Sequence, residues 1–289
     1  MIKTILAPLG GGDTDQAVLG AALLVAQPFQ AHIECFHNFL DPALAAACLP
    51  QVSYLYGAAL RSAMEQLAQR GEARVAAALH HYAEFCRLNG LPTDGSARSP
   101  QGVSASMLQG SGAPVDNLVF HARHNDLVVM ARPQPGDGVP GDLLARIVLQ
   151  GGQPVLLVPP QAPQRLLGTV MVCWKDSAEA ARALVLALPL LRQARKVVLV
   201  AVEEANGAAQ ASLQAAQAHL GWHGIDAAAK CVGSGSCSIM DTLWSAAVEC
   251  GADLLVMGGY SRGPTRELLF GGCTQAALAG GELPVLIAH

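Results

Sequence analysis

Residues Asp253–Ala288 read DLLVMGGYSRGPTRELLFGGCTQAALAGGELPVLIA. An apolar run, Leu254 to Met257, ends in Gly258-Gly259; a helical stretch follows, and a second apolar run, Val285 to Ile287, begins directly after Pro284. Short apolar runs bounded by Gly and Pro predict buried strands, so the segment is a β-loop-α-β unit. Its loop leaves the carboxyl end of a strand, where open parallel sheets bind ligands. The plan recurs in weaker form as Asp126–Met130 and Pro154–Val158. The chain therefore reads as one module used twice, with the glycines kept only in the second copy.

The 289 residues accommodate two domains of ordinary size. We place domain one at residues 1–158, a stiff proline-rich linker at 159–165 and domain two at 166–289. A hydrophobic share of 52% against 14% charged suits parallel strands buried on both faces. No apolar run approaches the roughly 18 residues of a membrane span, and the opening MIKTILAPLGG carries no export signal, so a cytoplasmic protein without membrane contact is expected. The eight cysteines are scattered singly, as reduced core residues. With a net charge of −4 and no block of Lys or Arg, nucleic acid is not an expected partner.

In copy one, Ile2 to Pro8 is the first strand, and Gly10-Gly11-Gly12 turns into a helix with Asp13 or Thr14 as N-cap. His32 to His37 is the second strand, and Asn38 to Gly57 is expected to be a loop or lid particular to this copy. A long helix, Ala58 to Leu88, ends at Asn89-Gly90. Thr93 to Arg98 is the expected third strand and Ser99 to Gly112 a loop; a helix, the strand Asp126–Ala131 and another helix lead to the closing strand Pro154–Val158. Copy two repeats the plan with strands at Thr169–Trp174, Lys196–Val202 and Asp226–Val232, and with helices at Ala178–Leu191, Ala208–Leu220 and Ser238–Cys250, the last two closed by Gly221 and Gly251. Such alternation implies right-handed crossovers and a parallel sheet covered on both sides.

The order of motifs resembles the universal stress proteins in their tandem two-domain form. KTILAP opens the chain, ADLLVMGGYSR precedes the last helix, FGG lies within it and LPVLIA closes it, while WKDSAEAARALVLALPLL is similar to the start of second domains in bacterial tandem members. The resemblance covers essentially the whole chain. It implies an α/β fold of two flavodoxin-like (adenine nucleotide alpha hydrolase-like) domains, each a five-stranded parallel sheet with helices on both faces in the order 3-2-1-4-5. It also implies that the closing strands meet across an internal pseudo-twofold, making the chain a pseudo-dimer and removing two apolar edges. Protein partners and homodimerisation of the whole chain are left open.

ATP-binding members of that family carry a Gly, two residues, a Gly, nine residues, and a Gly followed by Ser or Thr. Gly258 fits the first position, Ser261 stands at the second, and Gly271-Gly272 ends the motif without its hydroxyl, for which Thr274 is the nearest replacement. Those members also carry an acidic residue at the end of the first strand. Copy one has Gly10-Gly11-Gly12 there, and copy two has Lys175-Asp176-Ser177, with Asp176 one position out of register. ATP or AMP is thus the implied ligand of domain two. None is expected in domain one, where the loop Ala131–Gly138 lacks the glycines and two prolines remove N–H donors.

The residues themselves allow two readings. Gly258, Ser261, Arg262, Gly263, Arg266, Gly271, Gly272 and Thr274, with Asp176 nearby, can form a phosphate site at a helix N-terminus, the arginines adding charged donors. The plainer reading is a tight crossover with Pro264 in the first helical turn and two solvated arginines. Gly233–Ser236 reads as a capped turn. His219 and His223 are separated by the expected helix end at Gly221, and His121/His124 and His80/His81 lack thiol or carboxylate partners at ligand spacing, so no metal is expected. Trp174, Trp222 and Trp244 are expected in the core or an interface. No G-x-S-x-G, paired carboxylates or HExxH occur, and no enzymatic activity is expected. Two functions follow: a stress-response protein binding a nucleotide or other phosphate ligand in domain two, or a ligand-free interaction scaffold with decayed pockets.

Overall fold

Two short apolar strands decide how the molecule joins. Val155–Val158 and Val285–Ala288 are wholly buried on both faces, and they pair antiparallel, Val285 opposite Leu157 and Ile287 opposite Val155. The computed structural model describes residues 1–39, 58–92, 102–133, 142–203, 208–233, 235, 237–259, 276–277 and 281–289. Their elements are β1 (Thr4–Pro8), α1 (Asp15–Phe29), β2 (His32–Phe39), α2 (Ala58–Asn89), β3 (Ser104–Ser111), α3 (Pro114–Ala122), β4 (Leu127–Ala131), α4 (Leu143–Gln150) and β5 (Val155–Val158). Then follow β6 (Thr169–Trp174), α5 (Ala178–Leu191), β7 (Lys196–Glu203), α6 (Ala208–Trp222), β8 (Ala227–Gly233), α7 (Ile239–Cys250), β9 (Leu254–Gly258) and β10 (Val285–Ala288).

All ten strands form one sheet in the order β3-β2-β1-β4-β5-β10-β9-β6-β7-β8. Each half is parallel within itself and runs 3-2-1-4-5 in its own numbering; the antiparallel step falls at β5/β10, where the two closing strands meet. Successive residues of a strand point to opposite faces, so the sheet has two cores. Ile5, Ile33, Leu127, Leu156, Val170 and Leu286 face α1, α2, α5 and α6. Leu6, Val128, Leu157, Met171, Leu255 and Ile287 face α3, α4 and α7. Both cores run unbroken across the seam. Each such side chain is worth about 1.5–3 kcal/mol on burial, which makes the seam a core rather than a surface contact.

The halves repeat a polar detail as well. Asp126 ends the turn into β4, and its Oδ2 accepts from Lys3 N (2.6 Å) and Thr4 N (3.1 Å); Asp253 does the same ahead of β9, accepting from Thr169 N at 2.7 Å. Each aspartate thereby fixes its half's first strand against its fourth.

Several sequence expectations need correction. The expected third strand, Thr93–Arg98, lies outside the described residues, and β3 falls inside the stretch expected to be a loop. SASMLQGS contains no β-branched residue, and only Ala105 is buried. An eight-residue register with β2 makes the strand, helped by His32, whose Nδ1 and Nε2 lie 2.8 Å from the hydroxyls of Ser104 and Ser106. Asn38 and Phe39 continue β2 rather than starting a loop; the rest of that expected lid, residues 40–57, lies outside the described residues. Helix α6 passes through Gly221 to Trp222, the left-handed turn coming later at Gly224 (φ +73). Trp222, expected in the core or an interface, is 90% exposed and so is not in the core. Cys35, Cys86 and Cys173 are buried, but Cys237 is exposed. Among the described residues no helix is long and apolar enough to cross a membrane.

Leu156 and Leu286 are fully buried register partners across the seam. Leu156→Ala and Leu286→Ala should each lower the unfolding free energy in urea by about 2–5 kcal/mol, with a coupling in the double variant of about 0.5 kcal/mol or more. On β2, next to the edge strand, burial lowers the His32 pKa below its ordinary 6.5, with Glu34 pulling the other way. A depressed folded pKa means that the unfolded chain takes up the proton first, so stability falls as pH drops through 6.5. Urea melts at about pH 7 and about pH 5 should show a smaller acid loss for His32→Gln than for the natural chain.

Candidate functional site

The carboxyl ends of the strands carry the two candidate loops, one per half. In half two, β6 ends at Trp174, whose Nε1 donates to Ser212 Oγ at 2.9 Å. Lys175 and Asp176 follow, both exposed, and Ser177 is the N-cap of α5, its hydroxyl accepting from Ala180 N at 3.2 Å. Serine thus supplies the side-chain cap, and Glu179 lies in the first turn of the helix.

Beside this corner β9 ends at Gly258. Its φ is not positive, so conformational freedom is not what the position needs. The reason is proximity: a Cβ at Gly258 would lie 2.6 Å from Ala180 N and from the carbonyl carbon of Glu179. Glycine here lets the first turn of α5 lie directly on the end of β9. Gly259 continues the sheet, donating to Ala288 O at 2.9 Å and accepting from His289 Nδ1 at 3.1 Å. Ser261, Arg262, Gly263, Arg266, Gly271, Gly272 and Thr274 lie outside the described residues. Of the expected site, the structure places Gly258 near the start of α5 and leaves Asp176 exposed on the preceding turn.

Half one fills the same corner differently. By strand register, Gly10-Gly11-Gly12 occupies the place of Lys175-Asp176-Ser177. Neither Asp13 nor Thr14 caps α1 with its side chain. Instead Asp15, buried to 1% exposure, turns its carboxylate back over the loop and accepts from Gly10 N and Gly11 N at 2.9 Å each. His81 of α2 adds a third bond to Asp15 Oδ2 at 3.0 Å. Gly11 has φ +70, and any Cβ there would run into the carbonyl of Arg74, so α2 lies close over the loop. Two of the loop's N–H groups, those of Gly10 and Gly11, are held by a carboxylate from within the chain, an arrangement that satisfies these donors and leaves them for no outside anion.

Sequence reasoning missed this group. His81 has no thiol or carboxylate at metal-ligand spacing along the chain; its partner Asp15 lies 66 residues away. The available signal was an aspartate three residues after a glycine triplet, since exposed N–H donors call for an acceptor. His121 likewise meets a carboxylate distant in sequence, Glu34 Oε1, at 2.9 Å. Among the described residues no cluster of His, Cys, Asp and Glu is arranged to hold a metal ion. Desolvation holds the Cys35 thiol well above its ordinary pKa and raises that of Cys86, so both are poor nucleophiles.

No protein-family model matches the chain, and no curated protein matches it in sequence. Solved structures do match over nearly its whole length. A universal stress protein from Archaeoglobus fulgidus DSM 4304 shares 14% identity at a TM-score of 0.68, covering 99% of this chain and 97% of that one. A functionally unknown protein from Pseudomonas aeruginosa PAO1 shares 14% identity at a TM-score of 0.60, covering 99% of this chain and 92% of that one. For a putative universal stress protein from Pseudomonas aeruginosa UCBPP-PA14 the values are 14% and 0.57, with 99% and 93% covered. This chain has the fold of those proteins, an α/β sheet matched from end to end.

Asp15→Ala leaves two loop N–H groups without their acceptor, and each unmet buried donor costs about 1–3 kcal/mol. Urea unfolding should show a loss in that range or above, with Asp15→Asn, which keeps one acceptor oxygen, losing less than Asp15→Ala.

Proposed function

We propose that the protein is a tandem stress-response protein of the universal stress type, binding a nucleotide or related phosphate ligand in its second half. The fold supports the class. The difference between the two loops supports the choice of half. Half one has closed its own loop with Asp15 and His81, whereas at the equivalent corner of half two the loop residues Lys175 and Asp176 are exposed and Gly258 stands beside the start of α5. A helix start beside a side-chain-free backbone suits an anionic group, because free N–H donors and the helix dipole both favour negative charge. Arg262 and Arg266 supply the cationic donors in this reading, with Gly271 and Gly272 allowing close approach and Thr274 offering the hydroxyl. ATP and AMP are the ligands to try first. The protein acts by binding rather than catalysis, and from the cytoplasm.

Titration calorimetry of the full chain with ATP and with AMP tests this. Heat with at least one nucleotide is expected, with binding weakened by at least about tenfold in Gly271→Val while the melting temperature is retained. No heat with either nucleotide would favour the other reading, a scaffold whose pockets have decayed.

A further inference from the structure

Arg132 directly follows β4 and is 3% exposed. Its Nη1 donates to Gly281 O and its Nη2 to Leu283 O at 3.1 Å, both in the other half of the molecule, on the segment that leads into β10. Its amide is fixed in turn by Val158 O at 2.9 Å, and its Nε is buried without an acceptor. No carboxylate is among its partners within the described residues. Burying a guanidinium against carbonyl dipoles, its partners among the described residues, carries a desolvation penalty that offsets much of the gain, and burial accordingly lowers its pKa. Net stability is therefore a poor reason for its presence. Geometry is a better one, because the planar fork spans two carbonyls of one segment as a lysine ammonium cannot.

The same segment is fixed from the opposite side. Gly281 has φ +111, and a Cβ there would lie 2.6 Å from the Trp244 ring of α7. In half two the residue equivalent to Arg132 is Gly259, since the two donate matching amide bonds to Val158 O and Ala288 O. Of this pair of equivalent positions, only the one in half one carries a side chain.

We infer that Arg132 is a positioning residue through which half one, its own loop occupied, fixes the point where the half-two crossover returns to the sheet. The crossover extends from Gly259 to Pro284 and contains the proposed ligand loop, so the functional part of the inference rests on that reading. Half one then serves half two as a built-in frame, and ligand affinity in half two depends on a side chain from half one.

Hydrogen–deuterium exchange of the full-length Arg132→Met variant tests this without any ligand. Amides in residues 281–286 should exchange at least about tenfold faster, while those of β1 and β6 keep their rates. Unchanged rates in 281–286, or uniform acceleration throughout the chain, would overturn the inference. Should Arg132→Met not fold, Arg132→Lys carries the test: a smaller acceleration confined to 281–286 is expected, and none would overturn it. The ATP dissociation constant should also rise about fivefold in the variant; an unchanged constant together with faster local exchange would overturn the dependence of ligand affinity on Arg132. If the natural chain binds no ATP, the proposed function fails while the exchange result still decides the inference.

Discussion

The antiparallel contact between β5 and β10 is the constraint on which the rest of the molecule depends. Each strand is four residues long and wholly apolar, so neither could end a sheet in water without offering a sticky edge. Joining them converts two five-stranded parallel sheets into one of ten and lets both side-chain layers continue from one half to the other. The chain reversal at the join also brings the approach to β10 next to the carboxyl end of β4, which is why Arg132 can reach Gly281 and Leu283.

That arrangement brings together two halves that repeat a strand order but have diverged at their loops. Asp126 and Asp253 keep the same bonds to the first strands, a structural need that both halves share. The loops face no such common need. Half one closes its glycine turn with a carboxylate and a histidine, and long helix α2 lies over it. Half two presents exposed Lys175 and Asp176 instead. The proposed ligand role rests on this difference between the two corners.

Much of the fold was legible because strands buried on both faces leave unmistakable runs: Leu254–Met257, Leu127–Met130 and the two closing strands each stand out between Gly, Pro or Asp. β3 was not legible, since its serines, Gln109 and Gly110 look like a loop and become a strand only when β2 supplies partners along its length. The end of α6 was misread for a related reason: glycine is merely a weak helix former, and Gly221 stays helical while Gly224 makes the turn. At the site, local spacing revealed the glycines but not the packing that demands one at Gly258. Asp15 and His81 belong to different helices, and Arg132 acts across the seam, so pattern reading along one segment could not join either to its partners.

The most direct measurement is a crystal structure of the full chain grown with ATP. Nucleotide density is predicted at the carboxyl end of β9, beside Gly258 and the start of α5, with the Asp15 carboxylate still bound to Gly10 and Gly11. Nucleotide seated over Gly10–Gly12 with Asp15 displaced would contradict the assignment of the two halves.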